Sequence, residues 1–163
     1  LPRRTDLSVL VDDVVEGLRE LPGADEIEIT TDLPPGRDAW CDPLLVTTAV
    51  HNVVRNAIEA AVAAKDSGRN AQPHVRVALR EDAASAIVVV EDDAGGLAPD
   101  VAERLFTPFV SGKPSGIGLG LAMARRALEA DGCDLTFEPT VGGCRFGVRL
   151  PREASAREAR EEG

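Results

Sequence analysis

The sequence has no apolar run long enough to cross a membrane: stretches such as Ala86 to Val90 stop far short of the ~20 residues a span requires. It has no surplus of positive charge either. Lys and Arg number 18 against 28 Asp and Glu, and the formal charge of −10 excludes a broad basic face for a phosphate backbone, so no nucleic-acid partner is expected. Lysine is almost missing, with only Lys65 and Lys113. Cysteine is scarce and unpatterned. Cys41, Cys133 and Cys144 form no C-x-x-C pair, which argues against a disulfide framework or a zinc site and leads us to expect a reducing, cytoplasmic setting. His51 and His74 have no carboxylate or thiol at metal spacing. No basic segment precedes an apolar stretch near Leu1, so no secretory signal is visible, and the missing initiator Met points to a longer parent chain.

What is present fits one domain. At 163 residues the chain can bury a core without staples, and we expect a domain over 1–151 followed by a charged, solvated tail over 152–163. Asp6 precedes a helical stripe of Leu7, Leu10, Val11, Val14, Val15 and Leu18 that ends at Pro22-Gly23. Glu26 to Thr31 alternates as a half-buried strand, and Trp40 begins or flanks a second short one. Asp42-Pro43 then caps a long helix running from Leu44 to about Lys65. Val75 to Leu79 and Ile87 to Glu91 read as strands, the second so rich in β-branched residues that a central place is expected. From Gly95 to Gly116 the chain is rich in glycine and proline, with a short helical piece over Pro99 to Leu105, and reads as either disordered or a functional lid. Ile117, Leu121, Ala124 and Leu128 mark another helix, closed by Asp131-Gly132. Leu135 to Phe137 and Arg145 to Leu150 form a last hairpin turned at Val141-Gly142-Gly143. This order predicts an α/β, two-layer sandwich: a mixed β-sheet with helices on one face.

Three segments carry residues suited to chemistry. Asn52, Asn56 and Glu59, spaced i, i+4, i+7, share one face of the long helix; they are either a solvent-facing side or a polar stripe, and an amide oxygen suits Mg²⁺ where phosphate and water complete the shell. Asp92 stands at a strand end before Ala94-Gly95-Gly96. That is either a tight turn or a carboxylate able to accept from an exocyclic amine, with glycines that let backbone approach a flat ring. Gly116, Gly118 and Gly120 lead into a helix N-terminus suited to phosphate. The segment is not a Walker loop, since Gly112-Lys113 is followed by Pro114. Nor is it a dinucleotide fingerprint, since Leu121 takes the place of the last glycine.

Taken in order, these segments resemble the ATP-binding catalytic domain of sensor histidine kinases, in the superfamily of gyrase, heat-shock chaperone, histidine kinase and MutL. Asn52-Val53-Val54-Arg55-Asn56-Ala57 is similar to the N box and Asp92 to Leu97 to the first glycine box. Phe106-Thr107-Pro108-Phe109 is similar to the F box, and Gly116 to Leu121 to the second glycine box. The resemblance implies a Bergerat-type ATP-binding fold with ATP and Mg²⁺ as cofactors. By the same resemblance Asp92 meets the adenine amino group with Gly96 beside it, and Asn56 holds Mg²⁺. Asn52 supports the polyphosphate, Lys113 reaches the γ-phosphate, and Gly116, Gly118, Gly120 and Leu121 frame the phosphates. Phe106 and Phe109 anchor the lid. Ala94, Cys144, Glu59 and Ala60 depart from the family's usual residues, which implies weaker nucleotide binding.

The resemblance also implies an activity. In the hydrolysing branches and the related serine kinases a Glu stands where this chain has Asn52, and an amide cannot act as a base at neutral pH. Asn52 and Lys113 are therefore the expected catalytic residues of a phosphotransfer to histidine. Neither His51 nor His74 fits the family's acceptor, so that histidine is expected on a helical dimerisation domain outside these residues, in a parent protein that is membrane-anchored upstream or not, with a response regulator downstream. Two alternatives remain open: a degenerate nucleotide- or partner-binding module, and an ATPase or serine kinase.

Overall fold

The computed structural model describes residues 1–96 and 120–154. Its backbone is a five-stranded mixed sheet under a layer of helices, as the order of elements predicts. The strands are β2 (Glu28–Asp32), β4 (His74–Glu81), β5 (Ser85–Asp92), β6 (Asp134–Thr140) and β7 (Gly143–Pro151), in the spatial order β2-β4-β5-β7-β6. Only β2 and β4 are parallel, and β5 is central as its composition predicts. A second, two-stranded sheet pairs β1 (Arg3–Asp6) with β3 (Asp38–Cys41).

Among the described residues the helix layer holds α1 (Leu7–Leu18), α2 (Pro43–Asp66) and α3 (Gly120–Ala130). Asp6 Oδ1 accepts from the amides of Ser8 and Val9, and Asp42 Oδ1 from those of Leu44 and Leu45, so both expected caps satisfy orphan donors. α2 lies in the middle, packed on α1, α3 and the central strands. Its buried face, which includes Val46, Val50, Val53, Val54 and Ile58, meets Val75, Val77, Val88, Val90 and Val148 of the sheet in one continuous core.

Three details differ from the sequence reading. Ala24–Glu26 is a short 3₁₀ turn and the strand begins only at Glu28, because the parallel pairing with β4 starts at Glu28 opposite His74. β1 has no alternating pattern and is a strand because β3 offers it an edge. Gly143 is not part of the last turn but pairs with Thr140, leaving Val141-Gly142 as the connection. The expected helical piece over Pro99 to Leu105, and Ile117, lie outside the described residues. Among those described, no helix is long and apolar enough to cross a membrane.

Candidate functional site

Asp92 ends β5 with its side chain on the helix-facing side of the sheet. In the strand register it lies between Val75 of β4 and Cys144 of β7, a carboxylate set in an otherwise apolar row. Only 9% of its surface is exposed. Burial pushes its pKa above the usual carboxylate range; the Ala94 amide, which donates to Oδ1 at 3.0 Å, draws it back, and the neighbouring Asp93 charge adds to the rise.

The loop after Asp92 is fastened on both sides. Asp93 Oδ1 accepts from the backbone amide of His74 at 2.7 Å, and its carbonyl accepts from Asn70 Nδ2 at 3.0 Å. The Gly95 amide donates to the Gly142 carbonyl at 2.8 Å, which ties the loop to the β6–β7 connection. Gly95 and Gly96 have φ of 97° and 75°, so the left-handed conformations fall on glycines, while Ala94 packs into the interior at 6% exposure. A side chain at Gly143 would collide with the Asp92 carbonyl and lie 2.7 Å from its carbon. Sequence reasoning missed these supports. The doubled Gly142-Gly143 was its one visible trace, and it reads there only as a turn.

On α2, Asn52 and Asn56 are half-buried beside the fully packed Val53, Val54 and Ala57. The Asn52 side chain reaches the start of α3: a Cβ placed at Gly120 would be 3.4 Å from Asn52 Oδ1. Residues from two separate motifs thus meet at the start of α3. Glu59 Oε1 accepts from Arg55 Nε at 2.7 Å, an i, i+4 ion pair along the helix. Leu121 is half-buried against the core. Phe106, Phe109, Lys113, Gly116 and Gly118 lie outside the described residues.

Among the described residues no cluster of three or more His, Cys, Asp or Glu could hold a metal ion. Mg²⁺ carried on phosphates needs only one or two oxygen ligands from the protein, which an Asn amide can provide. The donor set on α2 therefore fits Mg²⁺ bound through phosphate.

Comparison with known proteins agrees with this architecture. Residues 41–154 match the family described as histidine kinase-, DNA gyrase B- and HSP90-like ATPase. The C4-dicarboxylate transport sensor protein DctB of Rhizobium meliloti (strain 1021) is 33% identical over 125 residues, 76% of this chain and 19% of that protein. Sensor histidine kinase RppB of Synechocystis sp. is 34% identical over 153 residues, 89% of this chain and 32% of that protein. The chain thus spans a third or less of the length of these relatives. Among solved structures, the nucleotide-free catalytic domain of histidine kinase ThkA superposes with a TM-score of 0.81 at 20% identity, covering 96% of this chain and 99% of that one. Mycobacterial sensor histidine kinase MprB gives 0.72 at 25%, covering 93% and 97%.

Proposed function

The chain belongs to the histidine kinase-, DNA gyrase B- and HSP90-like ATPase family, and from that premise we propose that it is the ATP-binding, phosphotransferring part of a cytoplasmic sensor kinase whose acceptor histidine lies on a helical dimerisation domain outside these residues. A response regulator then takes the phosphoryl group onward. The observation that carries this reading is the meeting of the α2 amide stripe with the N-terminus of α3, at Asn52 and Gly120.

In this reading Asp92 accepts from the exocyclic amine of the base, while the Ala94 amide holds its carboxylate in place and the apolar row around it excludes water. Gly96, whose Cβ would stand 3.5 Å from the Gly143 carbonyl, leaves the base edge uncovered. Asn56 holds Mg²⁺ through its amide oxygen, one helical turn beyond Asn52. The N-terminal amides of α3 receive phosphate oxygens, assisted by Gly116 and Gly118, and Lys113 reaches the γ-phosphate. Bound Mg-ATP supplies the phosphoryl group. Asn52 orients the polyphosphate without abstracting a proton, so the acceptor has to be a nucleophile that needs little activation. An imidazole qualifies; water does not.

The test separates transfer from hydrolysis. General-base assistance contributes roughly 10²–10⁴-fold, so the chain alone should bind ATP yet turn it over far below the order of 1 s⁻¹ of competent enzymes. A separately supplied dimerisation hairpin should become labelled on histidine. Rapid hydrolysis by the chain alone, abolished by Glu59→Gln, would instead identify an ATPase using Glu59 as base.

A further inference from the structure

The face of the sheet turned away from the helices carries its own pattern, which the nucleotide reading does not use. Across the four strands β4, β5, β7 and β6 the register aligns outward residues in three rows. The first is Arg76, Glu91, Arg145 and Glu138, alternating in sign. The middle row is Ala78, Val89, Gly147 and Thr136, all small. The third is Arg80, Ile87, Arg149 and Asp134. All but Asp134 line a shallow depression with a floor of small residues between two charged walls. Within the chain, Arg145 bridges Glu91 and Glu138 at 2.8 and 2.7 Å, but among the described residues Arg76 and Asp134, at opposite corners of the face, have no ion-pair partner.

We propose that this face docks a second copy of the chain about a two-fold axis that runs parallel to the strands, between β5 and β7. Such an axis keeps each row over its counterpart and reverses the strand order, so that β4 of one copy lies over β6 of the other and β5 over β7. The first row then sets Arg76 against Glu138 of the second copy, and Glu91 against Arg145, with every charge opposed. In the third row Arg80, which pairs with Asp32 at 2.9 Å within its own chain, also faces Asp134 of the second copy, and the Arg149 stem lies on Ile87. Both corner residues thereby gain a partner. The small middle row lets two sheets approach the ~10 Å of aligned face-to-face packing. A two-fold axis perpendicular to the strands would instead set Arg76 over Arg80, Arg145 over Arg149 and Glu138 over Asp134. The charge pattern selects one orientation. The face is four strands wide and three outward residues deep, at the small end for a specific interface, so the association is reversible and weakened by salt.

The test uses the 163-residue chain in sedimentation velocity over roughly 10 µM to 1 mM, with melting curves as a fold check. The wild type should associate at the upper concentrations and dissociate as salt is added. Arg76→Glu alone and Glu138→Arg alone each place two like-charged contacts in the dimer and should raise the dissociation constant about tenfold or more. An equimolar mixture of the two variants should associate again, because both contacts are then opposite in sign. Within one chain these residues are three strand spacings apart, roughly 14 Å, so no intrachain effect predicts that rescue. A wild type that stays monomeric throughout, or single variants that associate like the wild type, would overturn the proposal. So would a mixture no better than its components, since association would then use another surface or axis.

Discussion

Asp92, the proposed acceptor for the base, sits where its charge costs the fold stability. Its neighbours across the sheet are Val75 and Cys144, and burial among them makes its ionised form unfavourable. The sign of the linkage follows. A carboxylate whose folded pKa is raised binds its proton more tightly in the folded state, so its ionisation lowers stability as pH rises from the ordinary carboxylate range through the raised value, and that loss persists at neutral pH. Asn in its place keeps an oxygen for the Ala94 amide and has no charge to desolvate. Asp92→Asn should therefore melt at or above the wild-type temperature at pH 7, and its melting temperature should fall less across that window. If Asp92 receives the exocyclic amine of the base, the same change should weaken ATP binding about 10- to 100-fold, the span expected for a hydrogen bond to a charged group. Melting curves from pH 4 to 8 with calorimetric titration of ATP measure both. A variant that is strongly destabilised at neutral pH, or that binds ATP unchanged, would contradict the role.

Elements add constraints that single residues do not reveal. β5 and β7 approach so closely at their ends that Gly143 can carry no side chain: a Cβ there would overlap the Asp92 carbonyl and stand 2.9 Å from the Asp93 Cα. Gly143→Ala should push the two strand ends apart, cost about 1–3 kcal/mol, lower the melting temperature by several degrees and weaken ATP binding through the displaced Asp92. Gly36→Ala, at positive φ but with open space around its Cβ position, is the control: it should lower stability without changing ATP affinity. Elements governed by local chemistry were legible in the sequence: the two Asp caps, the apolar stripe of α1, the long uninterrupted α2 and the β-branched β5. Elements governed by distant partners were not. Nothing in Arg3-Arg4-Thr5-Asp6 marks a strand; β3 makes it one. The late start of β2 is set by a parallel neighbour more than forty residues away.

The whole molecule brings together what its motifs hold apart. The sequence marks Asn52, Asn56, Asp92 and Gly120 singly, because an amide stripe, a strand-end acid and a helix-leading glycine each have a local signature. The contact of Asn52 with Gly120 depends on α2 packing against α3 and has no local trace. A nucleotide seated on these residues would bridge the end of β5, the middle of α2 and the start of α3, and anything that binds only the folded state raises its stability by mass action. At free ligand about 100 times the dissociation constant the gain is about 2.7 kcal/mol, which for a chain of this size corresponds to roughly 5–10 °C in melting temperature. Asn56→Ala removes a half-buried amide near the middle of α2 and puts a better helix former there, so its melting temperature without ligand should fall by less than its loss of the Mg-ATP shift. In Mg-ATP its shift should be much smaller, while in ATP with chelator the two proteins should differ little, because the lost group acts through the metal. Scanning calorimetry under the three conditions separates the outcomes. An equal Mg-ATP shift in wild type and variant would remove Asn56 from the metal site, whereas a variant destabilised by as much without ligand would make Asn56 a packing residue of α2.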